Sequence, residues 1–146
     1  MSNLILQLWR WVVGVISSSE AVPQPETRQD LPPVIFTNVR IVEKAPKKED
    51  IARGEFYAAV YKGTLHWTSF RCPCGCQEVI SLPMQHPHSP KWSLNTDDTG
   101  RPTLYPSVWR NKGCLSHFWL RDGRVHWCAD TGNLPWKMRP DLYQER

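Results

Sequence analysis

The stretch Phe56-Tyr57-Ala58-Ala59-Val60-Tyr61-Lys62-Gly63-Thr64-Leu65-His66-Trp67-Thr68-Ser69-Phe70-Arg71-Cys72-Pro73-Cys74-Gly75-Cys76 decides how this chain folds. Residues 56–61 and 64–70 are two runs rich in β-branched and aromatic side chains, the composition of a pleated, half-buried strand. Only Lys62-Gly63 separates them, and a two-residue link of that kind predicts a hairpin. The second strand delivers the chain directly to three cysteines within five residues.

Working outward, the β pattern continues. Residues 34–42 are β-branched and alternating, and 44–54 are charged and break the pattern with one helical turn. Residues 77–82 make a further short strand. Residues 84–91 are a His/Pro loop, and Asp97-Asp98-Thr99-Gly100 is a turn. Asp122-Gly123 separates strands at 117–121 and 124–128, the strongest hairpin signal in the chain. The expected class is mainly β: a small zinc-stabilised β domain over 34–130 and an irregular tail over 131–146. Residues 1–18 form an N-terminal amphipathic helix, and 19–33 a Pro/Ser-rich linker.

Cys72, Cys74, Cys76, Cys114 and His117 are the candidate metal ligands. Zinc prefers four N/S donors in a tetrahedron, and a Cys-rich turn plus a distant Cys-x-x-His supplies them. Pro73 and Gly75 shape the turn. Three ligands from five residues are crowded, so two or three of Cys72, Cys74 and Cys76 are expected, completed by Cys114 and His117. Five cysteines cannot all pair, and near neighbours in the cluster are too close to bridge. Metal in a reducing, cytoplasmic compartment therefore fits better than a disulfide scaffold. Cys128, at the end of the strand after Asp122-Gly123, could approach the metal but reads first as a buried apolar cysteine. A Rieske-type cluster has the Cys-x-x-His half in Cys114-Leu115-Ser116-His117, but its Cys-x-His half is replaced by Cys72-Pro73-Cys74.

His117 has a second role open to it. If four cysteines fill the tetrahedron, it is free to act as a base beside Ser107 or Ser116, since a serine nucleophile needs one. Against this stands the ordinary reading of each serine as a turn hydroxyl. Asp130 is the best placed acid to orient a histidine. Asp97, Asp98 and Asp122 are turn residues, and His86 and His88 belong to a solvated loop.

Lys+Arg less Asp+Glu is 18 − 14 = +4, with no dense basic run, so nucleic acid is not indicated. Six of eight tryptophans (Trp67, Trp92, Trp109, Trp119, Trp127, Trp136) fall in the last 80 residues. They read first as core, then as an aromatic-lined peptide groove. In the N-terminal helix, Asn3, Gln7, Arg10, Gly14 and Ser17 trace one polar stripe over residues 3–17. Fifteen residues rise only about 22 Å, short of a bilayer core of about 30 Å, and Arg10 sits at the centre. No positive side chain precedes the apolar run as a signal peptide requires. The helix reads as a docking element, for a membrane surface, a partner's groove or its own domain.

The segment from Phe70 to Cys128 resembles a bacterial family whose members are encoded beside ubiquitin-like proteins and their activating and conjugating enzymes. The shared pattern is Cys72-Pro73-Cys74-Gly75-Cys76, Trp92, Thr103-Leu104-Tyr105-Pro106-Ser107, Cys114, Ser116-His117-Phe118-Trp119, Gly123 and Trp127. The resemblance implies a role in a ubiquitin-like modification pathway, with those proteins as partners. The leading expectation is a zinc-stabilised peptidase that processes the tail of the ubiquitin-like protein or its conjugates. Ser107 would be nucleophile, with Ser116 second. His117 would be the base, with His126 in reserve. The alternative is a non-catalytic zinc module that grips the modifier or its conjugating enzyme. The chain lacks a Gly-x-Ser-x-Gly motif. Metal-centred hydrolysis is a third class, but a thiolate-rich set argues for a closed site.

Overall fold

The computed structural model describes residues 30–139. The expected helix at 3–17, most of the linker and the end of the tail lie outside the described residues. The described chain is mainly β, with nine strands in three sheets and almost no helix.

The first sheet has the order β1-β2-β3-β4: β1 (Arg40–Val42), β2 (Phe56–Tyr61), β3 (Thr64–Arg71) and β4 (Val79–Pro83). The expected hairpin joins β2 and β3, with Tyr61 opposite Thr64. Lys62 and Gly63 both adopt positive φ, 50° and 75°, as a primed turn requires. β3 pairs antiparallel with β4, Arg71 opposite Val79, so the cysteine-rich turn is the β3–β4 loop. The Cys72 amide closes that loop on the Glu78 carbonyl at 2.8 Å. Arg71 braces it, donating to the Gln77 carbonyl at 2.5 Å and to the carbonyl of Ile51.

The strand expected over 34–42 forms only at Arg40–Val42, which pairs parallel with β2. Its first part goes elsewhere. The amides of Ile35 and Phe36 both donate to the Gly123 carbonyl, at 2.8 and 3.0 Å, and Phe36 is fully buried.

β5 (Ser93–Thr96) and β6 (Pro102–Tyr105) form a two-stranded sheet around the Asp97 turn. The Asp97 carboxylate accepts from the Thr99 and Arg101 amides, both at 2.9 Å, and so shapes that turn. The third sheet has the order β7-β8-β9: β7 (Val108–Trp109), β8 (His117–Arg121) and β9 (Arg124–Trp127). Asp122 and Gly123 make its hairpin, again with positive φ at both.

The core is built on phenylalanine. Phe56 and Phe70 stack at 4.9 Å, and Phe36 meets both edge-on at 5.7 and 5.4 Å. Ile80, Leu82, Leu104, Val108, Phe118, Leu120 and Val125 complete it. Each such side chain stabilises the fold by about 1.5–3 kcal/mol when fully buried. The tryptophans, read first as core, mostly sit at its rim: Trp67, Trp127 and Trp136 are 39%, 47% and 42% exposed. An indole is too large to disappear inside so small a core. Among the described residues no helix is long and apolar enough to cross a membrane.

Candidate functional site: two clusters on opposite faces of one strand

β8 organises the site through strand periodicity. Successive side chains point to opposite faces. Phe118 and Leu120 face the core, and His117 and Trp119 face outward. Ser116, immediately before the strand, is buried at 1% exposure. Ser116 and His117 are neighbours in sequence with opposite destinations.

Ser116 joins the cysteines. Its Oγ lies 3.1 Å from Cys114 Sγ and accepts from Cys72 Sγ at 3.6 Å. Cys72 Sγ is 3.4 Å from Cys74 Sγ and 3.8 Å from Cys114 Sγ. The sulfurs of Cys72, Cys74, Cys76 and Cys114 all lie within 4.8 Å of one another. Gly75 takes φ 90°, a conformation that suits glycine. The Cys76 amide donates to Cys74 Sγ at 3.4 Å. Arg110 Nη1 donates to Cys76 Sγ and Cys114 Sγ at 3.4 and 3.3 Å.

Burial pushes the Cys72 thiol up to about 12. Burial acts the same way on Cys114, but hydrogen bonds from the Ser116 hydroxyl and amide, together with those from Cys74 and Cys76, outweigh it and bring that thiol down to about 6. Four thiols so close cannot all ionise unaided, and a bound cation removes that conflict. Tetrahedral zinc with bonds of about 2.3 Å sets its sulfurs about 3.8 Å apart, close to the spacing seen. These four cysteines could hold a metal ion.

His117 goes the other way. Its Nε2 lies 3.0 Å from Ser107 Oγ, and its Nδ1 lies 2.6 Å from Asp130 Oδ1. An ionised carboxylate only accepts, so Nδ1–H donates to it and Nε2 is left to accept from the Ser107 hydroxyl. His117 pairs with Trp109 across the β7–β8 ladder, and the two rings stack at 4.1 Å and 3°. The stack and the carboxylate fix the imidazole plane, and its side chain is 13% exposed.

The turn after β9 is tied to the same residue. The Cys128 amide donates to the His117 carbonyl at 2.9 Å, and Thr131 Oγ1 donates to it at 2.6 Å. Ser107 is held from its other side by Trp92, whose Nε1 donates to the Ser107 carbonyl at 3.3 Å. Trp92 also walls a groove of about 430 Å³ with Leu65, Met84, Leu94, Tyr105 and Pro106. That groove runs up to the residue preceding Ser107.

The expected residues therefore divide. Cys72, Cys74, Cys76 and Cys114 come together without His117. Ser107, His117 and Asp130 come together, and Ser116 stays with the sulfurs. His126 sits opposite Trp119 on the outward face of β9. In the sequence Arg110 carries no signal, and Trp92 and Trp109 read as core or as an aromatic-lined groove without a tie to Ser107 or His117. The register of β7 against β8 is what brings Trp109 to His117, and no local motif announces it. Chemically, a hydroxyl bonded to an imidazole that is itself held by a carboxylate can pass its proton to that imidazole.

The sequence model of a family described as bacterial ubiquitination-like system serine protease (BubE) matches residues 41–128, more than half of the chain. No curated protein and no solved structure matches it.

Proposed function

The chain belongs to the BubE family of bacterial ubiquitination-like system serine proteases, and from that premise we propose that it cleaves the tail of a ubiquitin-like protein or its conjugates. Ser107 is the nucleophile, His117 the general base and Asp130 the orienting acid. The observation that carries this reading is the continuous hydrogen-bond chain Ser107–His117–Asp130, at 3.0 and 2.6 Å.

In this mechanism the Ser107 hydroxyl oxygen bonds to the scissile carbonyl carbon as its proton passes to His117 Nε2. Asp130 stabilises the imidazolium through Nδ1–H. The imidazolium then protonates the departing amine, and an acyl-enzyme on Ser107 remains. Water adds to that ester with His117 again as base, which releases the acid and restores the serine. The groove walled by Trp92 receives an apolar side chain of the substrate next to the scissile bond.

Cys72, Cys74, Cys76 and Cys114 would hold zinc, whose chemistry there is that of a closed structural centre. Ser116 and Arg110 serve that centre by hydrogen-bonding its sulfurs. The activating and conjugating enzymes of the same system are the partners, and the cytoplasm is the compartment. Residues 3–17 dock the protein on a membrane surface or a partner. If the surface is a membrane, removing residues 1–18 should shift the protein to the soluble fraction, and an unchanged distribution would end the membrane reading.

The test is cleavage of a tail-extended or conjugated ubiquitin-like protein by the purified chain. Ser107→Ala should stop cleavage and leave fold and metal content intact. In a non-catalytic zinc module the same substitution would be silent for every function the protein has.

A further inference from the structure

Cys128 takes no part in the reaction proposed above, yet its thiol is one corner of a donor set. A ring nitrogen of His117, Cys128 Sγ and a carboxylate oxygen of Asp130 all lie within 4.8 Å of one another, and all three residues are partly buried. We propose that these side chains form a second metal site, distinct from the four cysteines, for a thiophilic divalent ion of the zinc type, and that filling it switches the serine off. The inhibitory half rests on the reading of Ser107 and His117 as nucleophile and base.

The backbone presents the three donors to a common point. Cys128 and Asp130 are alternate residues of one tight turn, closed by the Thr131 amide on the Cys128 carbonyl at 3.1 Å. That turn is fastened to His117 by the Cys128 amide at 2.9 Å and by Thr131 Oγ1, which also accepts from the His117 amide at 3.2 Å. Zinc bonds of about 2.0–2.3 Å need donors about 3.3–3.8 Å apart, so small side-chain rotations close the set. The Nδ1–Oδ1 pair, now at 2.6 Å, opens slightly as both atoms turn to the metal. Imidazole, thiolate and carboxylate suit zinc or cadmium, whereas magnesium and calcium want oxygen alone. Three protein donors leave a fourth position open, so this site is weaker than a closed four-thiolate one and responds to free metal.

The switch follows from the lone pairs of imidazole. A neutral ring has one nitrogen with a proton and one without. Metal at either nitrogen takes the free lone pair, and the other nitrogen carries the proton. No acceptor remains for the Ser107 hydroxyl. Cys128 releases its own proton to solvent on binding. The same ion engages Asp130, which no longer orients the ring.

The experiment uses the full chain with its four-cysteine cluster loaded. Zinc or cadmium is added in the micromolar range. Two readouts are taken: metal bound per chain, with the cadmium–thiolate absorbance, and the labelling rate of Ser107 by an organophosphorus serine probe. The wild type should bind one further equivalent, and labelling should slow at least about tenfold. Magnesium should do neither. Cys128→Ala should label at the unmodified rate without added metal, lose the further equivalent, and need at least about tenfold more zinc for the same slowing. No further equivalent in the wild type, or equal zinc sensitivity in Cys128→Ala, overturns the proposal. A wild type that binds the second ion but never labels would sustain the site and count against the serine reading instead.

Discussion

At the residue scale the decisive fact is the divergence of Ser116 and His117. In sequence they complete what looks like one ligand fragment with Cys114. In the fold, strand alternation sends the hydroxyl to the sulfurs and the imidazole to Ser107. The types of residue were legible in the sequence, and so was the candidate acid Asp130. Their partition was not, because it depends on where β8 begins, and a shift of one residue would exchange the two faces. The two variants of His117 and Asp130 separate the roles. His117→Ala should retain one metal per chain, measured by elemental analysis of the purified protein, while cleavage stops. Asp130→Asn should keep the fold and lower the rate by roughly a thousandfold or more, since the ring loses its preferred tautomer. Loss of that one metal in His117→Ala would place the imidazole among the ligands of the four-cysteine centre.

At the scale of elements, turn chemistry was the most readable signal. Lys62-Gly63 and Asp122-Gly123 form hairpins where expected, because positive φ at both positions suits glycine and a few short or flexible partners. Strands β5, β6 and β7 were not read. They are short, β6 starts on a proline, and the apolar/polar alternation of residues 92–95 spans only four residues before the Asp97 turn. Trp92 lies at the head of this stretch, and its hydrogen bond to the Ser107 carbonyl spans 15 positions, so the residue is legible in the sequence but the contact is not. Gly123 does more than turn. A Cβ there would meet the Phe36 carbonyl oxygen at 2.0 Å, whereas one at Gly63 would meet nothing within 4 Å. Gly123→Ala should therefore destabilise by about 3 kcal/mol or more, and Gly63→Ala by about 1 kcal/mol. Urea denaturation midpoints of the two variants check the difference.

At the scale of the whole described domain, the cysteine cluster ties together pieces far apart in the chain. Cys72, at the end of β3, meets Cys114, ahead of β8, across 42 positions. A metal held there links the four-stranded sheet to the segment that carries His117. The β-rich class was legible from strand and turn patterns; the division into three sheets was not, since long-range pairing leaves little trace in local sequence. Cys72→Ser, or removal of the metal by a strong chelator, should lower the melting temperature by roughly 10 °C or more. Scanning calorimetry checks this, and Ser107 should lose its reactivity at the same time, because His117 is positioned from the same segment.

The most direct test of the central claim is to treat the protein with an organophosphorus serine probe and locate the adduct by mass spectrometry. A single adduct on Ser107, slowed in Asp130→Asn and absent in His117→Ala, is the predicted result. No adduct, an adduct on Ser116, or Ser107 labelling that persists without His117 would contradict the account.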